Sequence, residues 1–139
     1  MGALTALSYI LRPCGERASA VIGDKRRFAR SRQVGAYLGL VPRQQQSGER
    51  SPELHITRAG DAALRRLLVQ GAHYIMGPFG PDTQLRRWGL KMAGEGSTAR
   101  KKRAIVAVAR KLAVLLHRLW TTAAVYEPLH EEGRVVVAA

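Results

Sequence analysis

The sequence predicts a small, mainly α-helical domain with a long polar loop or weak hairpin at about 43–57 and a long C-terminal helix. Three observations lead there. Apolar residues recur at three- and four-residue steps over 61–76, 82–93 and 99–126, glycine and proline punctuate these segments, and only 43–57 has the polar, broken character of a hairpin. A chain of 139 residues allows one domain, and 46% hydrophobic content supplies a modest core.

Ala3 to Leu11 is apolar and helix-compatible, and Arg12-Pro13-Cys14-Gly15 is expected to end it, because proline lacks an amide hydrogen and crowds the preceding turn. Residues 12–27 then read as an irregular polar link closing on Gly23-Asp24 and the basic triplet Lys25, Arg26 and Arg27. Ser31 suits the N-cap of a short helix with Val34, Tyr37 and Leu38 on one face. Gly39 stops that helix, and Leu40-Val41-Pro42 leaves it in an extended path. Asp61 opens a strong helix whose Leu64, Leu67, Leu68, Ala72 and Ile75 share a face, and Gly77-Pro78-Phe79-Gly80-Pro81 breaks it. A shorter helix from Asp82 to about Ala93 turns Leu85, Trp88 and Met92 inward. Ser97 or Thr98 then caps a helix from about Ala99 to Tyr126, along which Ile105, Val108, Leu112, Leu115, Leu116, Leu119 and Ala123 form an apolar stripe. Pro128 is read as its stop and 131–139 as a loose tail; strand content, if any, is confined to 43–57.

The charge narrows the function classes. With 23 Lys+Arg against 10 Asp+Glu, a net charge of +13 and a pI near 11.2, the surface attracts polyanions at physiological pH. Cys14, the sole cysteine, excludes an intramolecular disulfide and a cysteine-based zinc cluster. The most apolar region, Ala104 to Trp120, is interrupted by Arg110, Lys111, His117 and Arg118, so it does not read as a membrane span. The N-terminus has no basic residue ahead of its apolar run and does not read as a signal peptide, which leaves a cytoplasmic, nucleoid-associated protein as the expectation.

The four histidines, His55, His73, His117 and His130, lack ligand spacing, and His73 reads as a half-buried helix residue. Asp24, Asp61 and Asp82 each stand where a helix or turn begins and read as caps, so no metal site is expected in this chain. Gly94 to Ala99 imitates a dinucleotide fingerprint without the preceding strand and reads as a helix-to-helix turn. Its free amides, beside Arg100 to Arg103, could still hold a phosphate.

Arg43, Arg50, Arg58, Arg65 and Arg66 flank the polar loop, and Arg86, Arg87, Lys91, Arg100, Lys101, Lys102 and Arg103 flank the later turn. Between Gln84 and Arg118 only Glu95 opposes ten lysines and arginines, an imbalance that favours nucleic-acid contact, mostly to phosphate. Ser47-Gly48 lies in the loop between Arg43 and Arg50; by spacing alone it is an ordinary loop serine. A non-catalytic basic helical module for DNA or RNA is the alternative. A membrane-surface helix is disfavoured because the apolar stripes are sized for a folded core.

The ordered motifs Gly23-Asp24, Arg27-Phe28, Ala36 to Pro42, Ser47-Gly48, Ile56 to Asp61 and Leu64 to Leu68 resemble the C-terminal domain of the IS-one-ten, IS-one-sixteen and IS-nine-oh-two group of insertion-sequence transposases. The likeness runs from about residue 23 to 130 and takes in GPFGPDTQLRRWGLKMA and KKRAIVAVARKLAVLLHRLW. It implies a DNA transposase, or recombinase, guided by a structured RNA, with a RuvC-like N-terminal domain whose acidic residues bind magnesium and a C-terminal domain that supplies a nucleophilic serine. Carried onto this sequence, the serine is Ser47, with Ser51 as the fallback; no cofactor falls to this chain itself. The resemblance also implies a homo-oligomer with DNA and guide RNA as partners and no membrane. Residues 1–22 read as a remnant of a helix–hairpin–helix region, 23–130 as the serine-bearing domain and 131–139 as tail. Leu54 stands where the family commonly has glycine, and the acidic domain is not in the sequence. The expectation is a truncated copy, inactive in transposition by itself.

Overall fold

A computed structural model of the chain describes residues 3–43, 55–125 and 136–137. Five helices make up most of it: α1 (Ala3–Ile22), α2 (Arg32–Tyr37), α3 (Ala62–Met76), α4 (Gln84–Ala93) and α5 (Thr98–Thr122), with a short 3-10 helix at Lys25–Arg27. The mainly α class expected from the sequence is what the chain adopts. Helix α5 is the central element: α3 and α4 pack along it, α2 crosses it, and α1 closes over α3. Leu64, Leu68, Ala72 and Ile75 of α3 meet Val108, Ala109, Leu112 and Ala113 of α5 in a core completed by Val34, Leu38, Leu40, Cys14 and Ile22.

Helix α1 departs from expectation. It does not stop at Pro13 but runs through it to Ile22, so residues 12–22 are helical and not an irregular link. An interior proline costs about 3 kcal/mol. Beyond it, Cys14, Ala18, Val21 and Ile22 recur at helical spacing and pack on the core, with Cys14 and Ile22 only 0% and 4% exposed. Burial of a side chain of Ile22's size contributes about 1.5–3 kcal/mol. Together these contacts offset the proline. Burial also pushes the Cys14 thiol above its ordinary pKa, which suits an inert core residue.

Three helix ends are set differently from the sequence reading. Ser31 does not cap α2 through its side chain, since its hydroxyl is engaged with His117. Helix α4 starts at Gln84, because the buried Thr83 and not Asp82 accepts the Arg86 amide (3.0 Å); Asp82 instead pairs with Arg87 at 2.6 Å. Helix α5 begins at the Ser97 cap as expected but ends at Thr122, before Tyr126 and Pro128 are reached, with Ala123 left-handed at φ 52°. There the Thr121 and Thr122 hydroxyls donate to the Arg118 carbonyl at 3.0 and 2.7 Å, competing with the amide ladder. Ala124–Val125 (β1) then pairs antiparallel with Val136–Val137 (β2), so strand pairing reaches outside 43–57 and into the tail expected to be loose. Met92 is 37% exposed, not turned inward; the close face of α4 is Gly89, where an added Cβ would lie 2.5 Å from Val108 Cγ2.

The expected helix from Asp61 forms as read. The Asp61 carboxylate accepts the Leu64 amide at 2.6 Å and takes a two-pronged ion pair from Arg17 (2.8 and 3.2 Å), which ties α1 to the start of α3. The Arg17 hydrogen bond first, then the Leu64 amide, hold this carboxyl below its ordinary 3.8. A lowered folded pKa means stability that is fully present above the unfolded value and disappears as pH falls through the folded one. Asp61→Asn retains a capping side chain but not the charge. Its urea midpoint is expected to lie below wild type at neutral pH and to converge with it in acid, once pH has fallen through the lowered folded pKa and both side chains are neutral. A gap that persists in acid contradicts this assignment.

Candidate nucleic-acid interface

The polar loop rises from a braced base. Gly39 reverses the chain after α2 with φ +72°, and Gly60 does the same before α3 with φ +79°. The two strands cross so closely that a Cβ on Gly39 would lie 2.3 Å from Ala59 N, and one on Gly60 would lie 2.3 Å from Tyr37 O. Between them Thr57 N donates to Val41 O (3.0 Å), Arg43 N to His55 O (3.0 Å) and Arg58 N to Gly39 O (3.1 Å), with Pro42 paired antiparallel to Ile56. The hairpin expected at 43–57 therefore exists at its base. Residues 44–54, and with them Ser47, Arg50, Ser51 and Leu54, lie outside the described residues.

The cations around this base divide by role. Arg43, Arg58 and Arg66 are exposed, and Arg58 takes a left-handed φ of 56° at the strand crossing. Arg65, read from the sequence as a nucleic-acid contact, donates to Ala59 O (3.0 Å) and Leu38 O (3.3 Å) and so braces the crossing. The later basic group divides in the same way. Arg86 donates to Ile75 O at 2.7 Å and to Gly77 O, closing the end of α3, while Arg100 Nε donates to Met92 O at 3.0 Å and closes α4. Arg87 holds Asp82. Lys91, Lys101, Lys102 and Arg103 are exposed around the α4–α5 corner. Among the described residues the predicted cations thus lie at three junctions: Arg43, Arg58, Arg65 and Arg66 at α2–α3, Arg86 and Arg87 at α3–α4, and Lys91 with Arg100, Lys101, Lys102 and Arg103 at α4–α5.

Sequence reading gave His117 no structural role. It is 4% exposed, with Nε2 2.9 Å from Lys25 O and Nδ1 2.9 Å from Ser31 Oγ. A carbonyl only accepts, so Nε2 donates to Lys25; in the neutral ring Nδ1 accepts from the Ser31 hydroxyl. Phe28 and Trp120 stand edge-on to the imidazole at 5.8 and 6.4 Å. One side chain on α5 therefore fixes both the 3-10 helix and the start of α2. The available signal was a polar residue inside the apolar stripe of α5, four residues after Ala113 and three before Trp120. His73, by contrast, is exposed and not half-buried. Asp24 caps the 3-10 helix through the Arg26 amide (2.9 Å), as its position suggested. Among the described residues no three His, Cys, Asp or Glu side chains converge to hold a metal ion, and no helix is long and apolar enough to cross a membrane.

These features define a class: a helical, strongly cationic domain whose polar segment joins a hairpin base braced by backbone hydrogen bonds and close backbone contact. A family model described as "Transposase IS116/IS110/IS902 family" matches residues 15–86, just over half of the chain and the whole of that base. The chain belongs to this family. It is 36% identical over 126 residues to the transposase for insertion sequence element IS1111A of Coxiella burnetii, covering 91% of this chain and 32% of that relative. It is 36% identical over 113 residues to a "Probable family 20 transposase" of Pseudomonas aeruginosa, covering 79% of this chain and 32% of the relative. It is 47% identical over 55 residues to the transposase for insertion sequence element IS1328 of Yersinia enterocolitica, covering 40% and 16% respectively. The chain spans about a third of the length of the first two of these relatives.

Proposed function

We propose that the chain acts in DNA transposition as the part of a transposase that binds DNA and presents Ser47 to a phosphodiester. The observation that carries the reading is the braced base at Gly39, Gly60, Pro42 and Ile56, set beside exposed Arg43 and Arg58 within the segment that matches the transposase family. A nucleophilic loop needs fixed ends so that its hydroxyl meets the target in one orientation.

In the proposed step the Ser47 oxygen forms a bond to phosphorus as the bond from phosphorus to one DNA sugar oxygen breaks. The serine proton passes to the departing sugar oxygen, and the strand is left covalently attached as a phosphoserine ester. Guanidinium groups of Arg43, Arg50 and Arg58 suit the developing negative charge because each can grip two phosphate oxygens. Strand exchange reverses the step when a second sugar hydroxyl attacks. Magnesium, implied for a full-length family member, has no donor set among the described residues; the contribution proposed for this chain is hydroxyl and guanidinium chemistry. A structured guide RNA and self-association are further parts of the proposal.

The test joins this chain to the N-terminal two thirds of the Coxiella relative. Given cleavable donor DNA, the fusion is expected to form a denaturation-resistant protein–DNA adduct. Ser47→Ala is expected to abolish the adduct while leaving DNA binding within about twofold, since one neutral loop hydroxyl contributes little to phosphate affinity. Undiminished adduct in Ser47→Ala would replace the proposal with the non-catalytic reading.

A further inference from the structure

A second cationic face is built from Lys25, Arg26, Arg27, Arg30 and Arg32, which the sequence reading did not assign to nucleic acid. From Lys25 to Arg43 the chain carries six lysines and arginines and no acid. His117 pins this segment to α5 through Lys25 O and the Ser31 hydroxyl. The Arg110 side chain lies across α2, where a Cβ on Gly35 would meet its Cγ at 2.7 Å. Arg27 rests over the Tyr37 ring at 4.7 Å and donates to the Tyr37 hydroxyl at 3.2 Å. Tyr37 O in turn abuts Gly60 at the loop base. Arg26, Arg30 and Arg32 remain exposed along this path. The nearby acid, Asp24, accepts the Arg26 backbone amide as the helix cap. A cationic strip therefore follows the chain from the 3-10 helix along α2 to the loop base, with Arg110 packed against it at Gly35 and a buried imidazole holding it in place.

We infer that this strip is a DNA-backbone contact, seating the duplex that flanks the phosphodiester attacked by Ser47. The inference rests on the proposed attack at Ser47 for the identity of the polyanion. Continuity with the loop base makes the flanking DNA, and not a separate RNA, the polymer that the strip meets. Exposed arginines on a pinned segment contact phosphates without reading bases, and each contact contributes to the salt dependence of binding.

The experiment uses the 139-residue chain with a 30-base-pair DNA duplex and an RNA duplex of the same length, titrated over a range of salt concentrations. The triple variant Arg26→Gln, Arg30→Gln, Arg32→Gln is expected to reduce the slope of log affinity against log salt by about 2–3, at roughly 0.9 per phosphate contact. A charge-matched triple at cations already engaged elsewhere, Arg12→Gln, Arg17→Gln, Lys111→Gln, is expected to leave the slope nearly unchanged; these side chains hold Glu16, Asp61 and the Trp88 ring. Helical circular dichroism checks that both triples are folded. If the first is not, the single variants are titrated, each expected to lower the slope by about 0.9. Equal losses in the two triples, no loss in the first, a loss confined to RNA, or a wild-type chain that does not bind DNA would each overturn the inference. Ser47→Ala keeps the wild-type slope whether or not the serine is the nucleophile, so failure of the strip and failure of the nucleophile are separate results.

Discussion

Gly39→Ala is expected to destabilise the chain by roughly 2–5 kcal/mol, from two additive causes. The φ of +72° places an L side chain in the left-handed region, at about 1–2 kcal/mol. The new methyl also meets backbone, at 2.3 Å from Ala59 N and 2.4 Å from Ala59 O, and backbone held by Arg65 and by the Arg58 amide has nowhere to go. Overpacking of that kind adds about 1–3 kcal/mol. Gly15→Ala is the internal control. Its Cβ meets nothing within 4 Å on a helix, so it is expected to stabilise by about 0.5–1 kcal/mol. Urea denaturation with an unchanged m-value reads both. A mild Gly39→Ala would mean that the loop base is looser than its crossing implies, and Ser47 chemistry would then lack its frame.

His117→Ala is expected to cost roughly 2–5 kcal/mol, the range for deleting a large buried side chain whose site only partly collapses. The loss has a polar part as well, because the Ser31 hydroxyl and Lys25 carbonyl are left under a low-dielectric surface without their 2.9 Å partners. The damage should concentrate in one segment. Amide hydrogen exchange is expected to accelerate over Lys25–Tyr37 more than over α3, and DNA affinity to fall with it. Uniform acceleration across all helices would show that His117 supports the core in general and does not pin the strip.

Much of the fold was legible because local chemistry and burial agree. In α3 the Asp61 cap, the apolar steps from Leu64 to Ile75 and the glycine–proline stop all point the same way. Helix α1 was not, because Pro13 is the strongest local signal and it opposes a helix. The packing of Cys14, Ala18, Val21 and Ile22 outweighs it, and that comes from residues far along the chain. The arginines show the same limit at the site. Arg65, Arg86 and Arg100 looked interchangeable with Arg43 and Lys101, yet they donate to carbonyls at positions 38, 59, 75, 77 and 92. Which cation finishes a helix end and which faces solvent depends on chain crossings that no local pattern encodes. Family membership was legible through the order of its motifs around the loop, and Gly39 and Gly60 now have a physical reason for being there: the two strands cross at backbone contact.

The most direct measurement is the position of the covalent link. Trypsin cleavage after Arg43, Arg50 and Arg58 separates Ser47, in residues 44–50, from Ser51, in residues 51–58. Mass spectrometry of the digested, nuclease-trimmed adduct from the fused protein should find nucleotide phosphate on the 44–50 peptide. Phosphate on 51–58, or on any peptide outside the loop, would contradict the assignment of Ser47 as the residue that bonds to DNA.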